Sequence, residues 1–248
     1  MYSTDYRSTR DLTECIRKDE SCVFIKYGDG EYFAATHHPG ANCDGTPYSV
    51  QLGEGVRESF KFMVDKPRTM FGLWPCPNKI AYWEGIGAGK RAPWVAYHTM
   101  IIENFDSDAY LELYRTIKES GRKKVYIANG AMGRAISLLG LNTHIPVHNS
   151  NWFDSAYQEV IETVMSAAVS LSAREDGSDL MFLTSAGMGA KPLLADLYRQ
   201  YPAAIYLDVG SALDTVCTKH DTRGFAQVYG ITYERLLEYL APIIPPEW

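Results

Sequence analysis

No stretch of the 248-residue sequence approaches the roughly 18 to 20 consecutive apolar residues that would cross a bilayer, and the opening MYSTDYRSTRDLTE is polar from its first residue. The expectation is a soluble, cytoplasmic protein with no membrane span. Cysteine is sparse: Cys15, Cys22, Cys43, Cys76 and Cys217 are odd in number, form no CxxC pair and accompany no matching histidine pair. That pattern argues against a zinc site and for a reducing compartment. Concentrated basic charge is missing too. The net charge is -6, and the densest basic group is Lys118 with Arg122, Lys123 and Lys124, whereas a duplex-binding protein presents a positive face. Nucleic acid is therefore a disfavoured partner. There is also no internal repeat, low-complexity tract or long charged linker along which to divide the chain.

What is present is 46% hydrophobic residues and 12% aromatics, including 17 tyrosines and five tryptophans. The first is enough for one full α/β core without disulfides. One compact domain over residues 1–248, with an irregular aromatic-rich insertion at about 66–104, is the economical reading. The aromatics suit flat polar ligands such as sugars and nucleobases, although a tyrosine-rich core would read alike.

Periodicity predicts a helix over residues 8–19, a buried strand over 22–27 and a helix over 50–64. From Ser107 the alternation is regular. A helix over 108–119 is followed by a strand at 124–128, a short helix ending at Leu139 and a strand at 144–147. The clearest helix repeats Phe153, Tyr157, Val160, Val164, Ala168 and Leu171 at three and four, with Ser155 and Gln158 placed as a capping box. A strand at 180–184, a helix through Leu193 and Leu197 and a strand at 204–207 complete the order. Such alternation implies an α/β, Rossmann-like, mostly parallel sheet with helices on both faces. Ligands in such sheets bind where strand carboxyl ends meet loops.

Three constellations fall at those ends. The strand CVFIKY runs into Gly28-Asp29-Gly30-Glu31. If that segment stays extended, Asp29 and Glu31 project to one side, about 7 Å apart at the backbone. Gly28 and Gly30 leave room for a ligand beside the backbone. Two carboxylates in one small site repel by about 1 to 4 kcal/mol at ~4 Å, which calls for a shared proton or a hard cation such as Mn²⁺ or Mg²⁺. An acidic surface turn is the plainer alternative. The second constellation, Thr184-Ser-Ala-Gly-Met-Gly-Ala-Lys-Pro192, joins a strand to a helix whose free amides suit phosphate, or is a simple turn; proline after Lys191 rules out a Walker loop. The third, Asp208-Val-Gly-Ser211 with Asp214, brings more carboxylates to a strand end, where Asp208 suits a helix cap or ribose hydroxyls. The glycine-rich run at residues 85–90 lacks a preceding strand and reads as a loop.

In order, KYGDGEY, IPVHNSNWFDSAYQEVIETV, and LMFLTSAGMGAKPLLADLYRQYP leading into YLDVGSALD resemble the GT-D glycosyltransferases, a family typified by a bacterial domain of unknown function with a DxE motif. The resemblance covers roughly residues 10–225. It implies transfer of a hexosyl or pentosyl group from a nucleoside diphosphate sugar, UDP-linked, to a hydroxyl of a glycan or glycoconjugate acceptor, with inversion. It also implies that Asp29 and Glu31 hold Mn²⁺ or Mg²⁺ with the donor diphosphate. Gly28, Gly30, Ser185, Gly187, Gly189 and Ser211 would then belong to the donor pocket. Arg223 would add a contact to the diphosphate, and Asn149 and Asn151 would bind sugar or nucleobase. Where the family's prototype carries histidine after D-x-G, Ser211 stands here. The base is therefore sought among the carboxylates, Asp214 first and Asp208 second. Two rivals remain: a nucleotide-cofactor Rossmann enzyme such as a methyltransferase, which leaves the Asp-Gly-Glu turn unexplained, and a non-catalytic module that binds sugar nucleotides or glycans. A glycoside hydrolase fits less well, because its carboxylates must flank the scissile bond.

Overall fold

The strand β1 (Val23–Lys26) is buried along its whole length, the mark of a strand covered on both faces. The computed structural model describes residues 7–74, 76–101, 108–147, 150–220, 224, 232–246 and 248. Within them β1 is an interior strand of a seven-stranded sheet with β2 (Thr69–Leu73), β3 (Trp94–Ala96), β4 (Lys123–Asn129), β5 (Thr143–Val147), β6 (Leu180–Ser185) and β7 (Ile205–Asp208), in the order β3-β2-β1-β7-β6-β4-β5, with β7 at the centre. Every neighbouring pair is parallel. All seven strands therefore end at one rim.

Side chains alternate across the sheet, so one strand feeds two cores. Val23, Ile25, Ile127 and Phe182 pack under α3 (Val50–Met63), α7 (Trp152–Leu171) and α8 (Ala190–Gln200). Phe24, Tyr126, Leu183 and Leu207 pack under α1 (Arg7–Arg17), α5 (Asp108–Glu119), α6 (Ala135–Leu139) and the carboxyl-terminal helix, Tyr233–Leu240. The expected parallel sheet with helices on both faces is what the chain forms. No helix among the described residues is long and apolar enough to cross a membrane.

Two local expectations fail. Residues 66–104 are not an irregular insertion: they supply β2, α4 (Pro77–Ile86) and β3, which build one edge of the sheet. Their aromatics are largely core. Trp83 is fully buried in edge-to-face and tilted contact with Tyr27 and Phe60, and Phe71 joins the same cluster. Gly and Pro punctuation hid two short strands. Ser155 and Gln158 do not cap α7 either. The helix begins earlier, so Ser155 Oγ donates to Asn151 O at 2.9 Å from within its first turns, and Gln158 pairs with Glu162.

Candidate active site

A cleft of about 670 Å³ opens along the rim where the strands end, and each strand or the loop after it contributes a wall residue: Lys26, Trp74, Tyr97, Asn129, Val147, Ser185 and Asp208. A second hollow of about 760 Å³ lies by the amino ends of β4 and β6. There Arg17 pairs with Glu112 and Arg122 with Asp19, so its charges largely cancel, and none of the motifs reaches it.

The Asp-Gly-Glu motif departs from the extended geometry expected of it. Asp29–Ala35 is a helix, α2, with Gly28 as its cap. The Gly28 N–H donates to Glu31 Oε2 at 2.8 Å, and acidic residues in a first turn suit the positive end of a helix. Both carboxylates still border the cleft, but they part company. The Asp29 side chain is 59% exposed and pairs with Lys79; the Glu31 side chain is 9% exposed and turns inward.

Inside, Glu31 meets a charge that β6 and α8 deliver. Lys191, in the first turn of α8, places Nζ 2.7 Å from Glu31 Oε1 and 2.9 Å from Asp208 Oδ2, with Gly187 O at 3.3 Å. Burial disfavours the ammonium, yet the two carboxylates outweigh it and hold Lys191 above its ordinary pKa, so it stays charged. Asp208, the last residue of β7, also accepts from Lys26 N at 3.0 Å, and Lys26 Nζ donates to Val209 O at 3.0 Å beneath the Tyr97 ring. The loop after β7 leaves space for that lysine only through glycine. Gly210 has φ +58°, and a Cβ there would sit 2.0 Å from Lys26 Nζ.

The other expected positions divide. Gly30, Ser185, Gly187, Ser211 and Asp214 line the cleft with Asp29, Glu31 and Asp208. Gly28 and Gly189 are not on its wall: a Cβ would meet Tyr97 at 2.9 Å in the first case and Trp152 at 2.6 Å in the second, so both are packed too closely to carry a side chain. Asn151 precedes α7 at an exposed position and is not part of the cleft wall, although its neighbours Ser150 and Trp152 are. Asn149 and Arg223 lie outside the described residues. Lys26 is a cleft residue that sequence reading did not assign, Trp74 and Tyr97 come from the aromatic-rich stretch expected to offer flat stacking surfaces to a sugar acceptor, and Lys191 was read only as the end of a loop motif. Lys26 did leave a signal, as a charged residue inside an apolar strand. Trp74 stacks on Tyr97 with ring centroids 5.2 Å apart and is 39% exposed, a flat face at the cleft's edge.

The repulsion that called for a divalent ion is answered here by Lys79 and Lys191. Among the described residues no group of three His, Cys, Asp or Glu side chains is placed to hold a metal. A cation caged by protein alone does not fit. A cation shared with a diphosphate does, since Mg²⁺ commonly takes one or two carboxylates and fills its shell with phosphate oxygens and water, and Asp29 and Glu31 face the same cleft.

The architecture is a glycosyltransferase fold. It is shared with a solved structure of domain of unknown function 1792, described as highly conserved and as having a distinct glycosyltransferase fold, at TM-score 0.54 and 16% identity over 84% of this chain and 79% of that one. The selenomethionine-substituted structure of the same domain gives TM-score 0.54 and 17% identity over 82% and 77%. No family model and no curated protein matches the sequence. The likeness thus concerns the fold.

Proposed function

We propose that this chain transfers a sugar from a nucleoside diphosphate sugar, UDP-linked, to a hydroxyl of a glycan or glycoconjugate acceptor, with inversion. The observation that carries this reading is the convergence of Lys26, Lys191, Glu31 and Asp208 under one cleft, beside the glycine turn that opens α8. The departing diphosphate gathers negative charge as the sugar leaves. Fixed positive charge on Lys26 and Lys191 and the amides of residues 187–189 would meet that charge with little reorganisation. Asp29 and Glu31 would hold Mn²⁺ or Mg²⁺ together with the diphosphate, and such an ion neutralises charge on the leaving group.

The acceptor hydroxyl must lose a proton as it attacks. Asp214, at the start of α9 (Asp214–Thr218) and on the cleft wall, is the proposed base. Asp208 suits that role less, because Lys191 and the Lys26 amide already engage its carboxylate. The Trp74–Tyr97 stack offers an apolar face on which a sugar ring would lie. Free thiols at all five cysteines suit a reducing cytoplasm as the place of action.

The test is release of UDP from a panel of UDP-sugars with Mn²⁺. Asp214→Asn should lower turnover by about 10² to 10⁴-fold while the far-ultraviolet circular dichroism stays unchanged. If no common donor is turned over, and UDP with Mn²⁺ leaves the melting temperature where it was, the transferase reading fails.

A further inference from the structure

Lys191 Nζ is enclosed by oxygens from separate elements: Glu31 Oε1 of α2 at 2.7 Å, Asp208 Oδ2 of β7 at 2.9 Å and Gly187 O at 3.3 Å. An all-oxygen shell is also what a hard divalent ion takes. Only 4% of the lysine side chain is exposed, so water screens little of its charge. A divalent ion arriving at Glu31 would stand against an ammonium already there, and the two cations repel through a weakly screened medium. The remaining partner, Asp29, is exposed and paired with Lys79, which leaves little to attract an ion on its own. A diphosphate changes this balance. It brings phosphate oxygens to complete the ion's shell and negative charge to offset the repulsion, and it gives Lys191 a third anion to face beside Glu31 and Asp208.

We infer that Lys191 is the resident counter-cation of Glu31 in the ligand-free protein, so that the divalent ion binds appreciably only together with the nucleotide diphosphate. This rests on the proposed assignment of Glu31 to the ion. Lys191 is in this sense a positioning residue: it holds Glu31 and Asp208 in place before the donor arrives and keeps the ion out until then. Linkage makes the effect reciprocal. The factor by which UDP tightens Mn²⁺ equals that by which Mn²⁺ tightens UDP.

The experiment titrates the wild-type protein and Lys191→Met with Mn²⁺, following the free-ion signal by electron paramagnetic resonance, with and without UDP, and records melting temperatures with Mn²⁺ alone. In the wild type, UDP should tighten Mn²⁺ by about 10 to 100-fold, and Mn²⁺ alone should leave the melting temperature unchanged. Lys191→Met should melt roughly 10 °C lower, because two buried carboxylates lose their partner. Mn²⁺ alone should then bind and recover much of that loss. Lys79→Met, which releases the exposed Asp29 instead, should show neither change. Equal Mn²⁺ affinity with and without UDP in the wild type overturns the inference, as does a folded Lys191→Met protein indifferent to Mn²⁺. If Lys191→Met does not fold, the wild-type titration decides alone. Absence of Mn²⁺ binding under every condition also overturns it, and UDP release from donors in the presence of a chelator then tells whether sugar transfer survives without the ion.

Discussion

Asp29 and Glu31 stand two positions apart in one motif, yet one belongs to the rim of the cleft and the other to its floor. At the rim, Asp29 meets Lys79 with 59% of its side chain in solvent, where an ion pair contributes little. On the floor, Glu31, Asp208 and Lys191 form a nearly dry cluster in which each charge depends on the others. Identical chemistry is thus put to two uses. The rim carboxylate is free to change partner at small cost, whereas the floor carboxylates are structural before they are functional.

Removing a floor charge should have the largest effect. Asp208→Asn leaves Lys191 with half its compensation and should lower stability by about 3 to 5 kcal/mol, read from urea denaturation. Asp29→Asn should move the same measurement by less than about 1 kcal/mol, while its loss is felt in UDP release. Similar destabilisation by the two substitutions would erase the distinction between rim and floor. The backbone around the floor offers a smaller effect. Gly210→Ala must accept a left-handed φ and displace the Lys26 ammonium, so a cost of about 1 to 3 kcal/mol is expected. An unchanged unfolding midpoint would mean that Lys26 is not held as tightly as its contacts imply.

A further effect, confined to acid conditions, concerns pH. His98, in edge-to-face contact with Trp74 at 4.0 Å between ring centroids, is pushed down to about 4 from an ordinary 6.5, first by burial and then by Lys26. A base whose folded pKa is depressed takes up its proton more readily when unfolded. Its contribution is therefore complete above about pH 6.5 and falls away as pH drops toward 4. His98→Gln should flatten the stability profile across that window and leave it unaltered above pH 7. Parallel profiles for the two proteins would remove His98 as the cause.

Much of the fold was legible because burial on both faces leaves continuous apolar strands and the helices between them repeat at three and four. Residues 108–119 and 50–63 are helices close to where periodicity places them, and Ser49 caps the latter through the Leu52 amide. The strands β2 and β3 were hidden because Gly and Pro interrupt or flank both and β3 is a three-residue edge strand, so that sheet partners rather than local pattern decide them. The glycine cap and acidic first turn of α2 were readable as a helix start, and the extended reading of that motif overlooked them.

By itself the sequence determined that a strand, a glycine turn and carboxylates would recur at the ends of a parallel sheet, since alternation and apolar runs are local properties. Only the tertiary structure decided which charges meet. Lys191 is 160 positions from Glu31 and 17 from Asp208, and nothing in their spacing brings them together. The sheet order does so, by placing β1 beside β7 and β7 beside β6, so that α2, α8 and the end of β7 close on one dry point where opposite charges must pair.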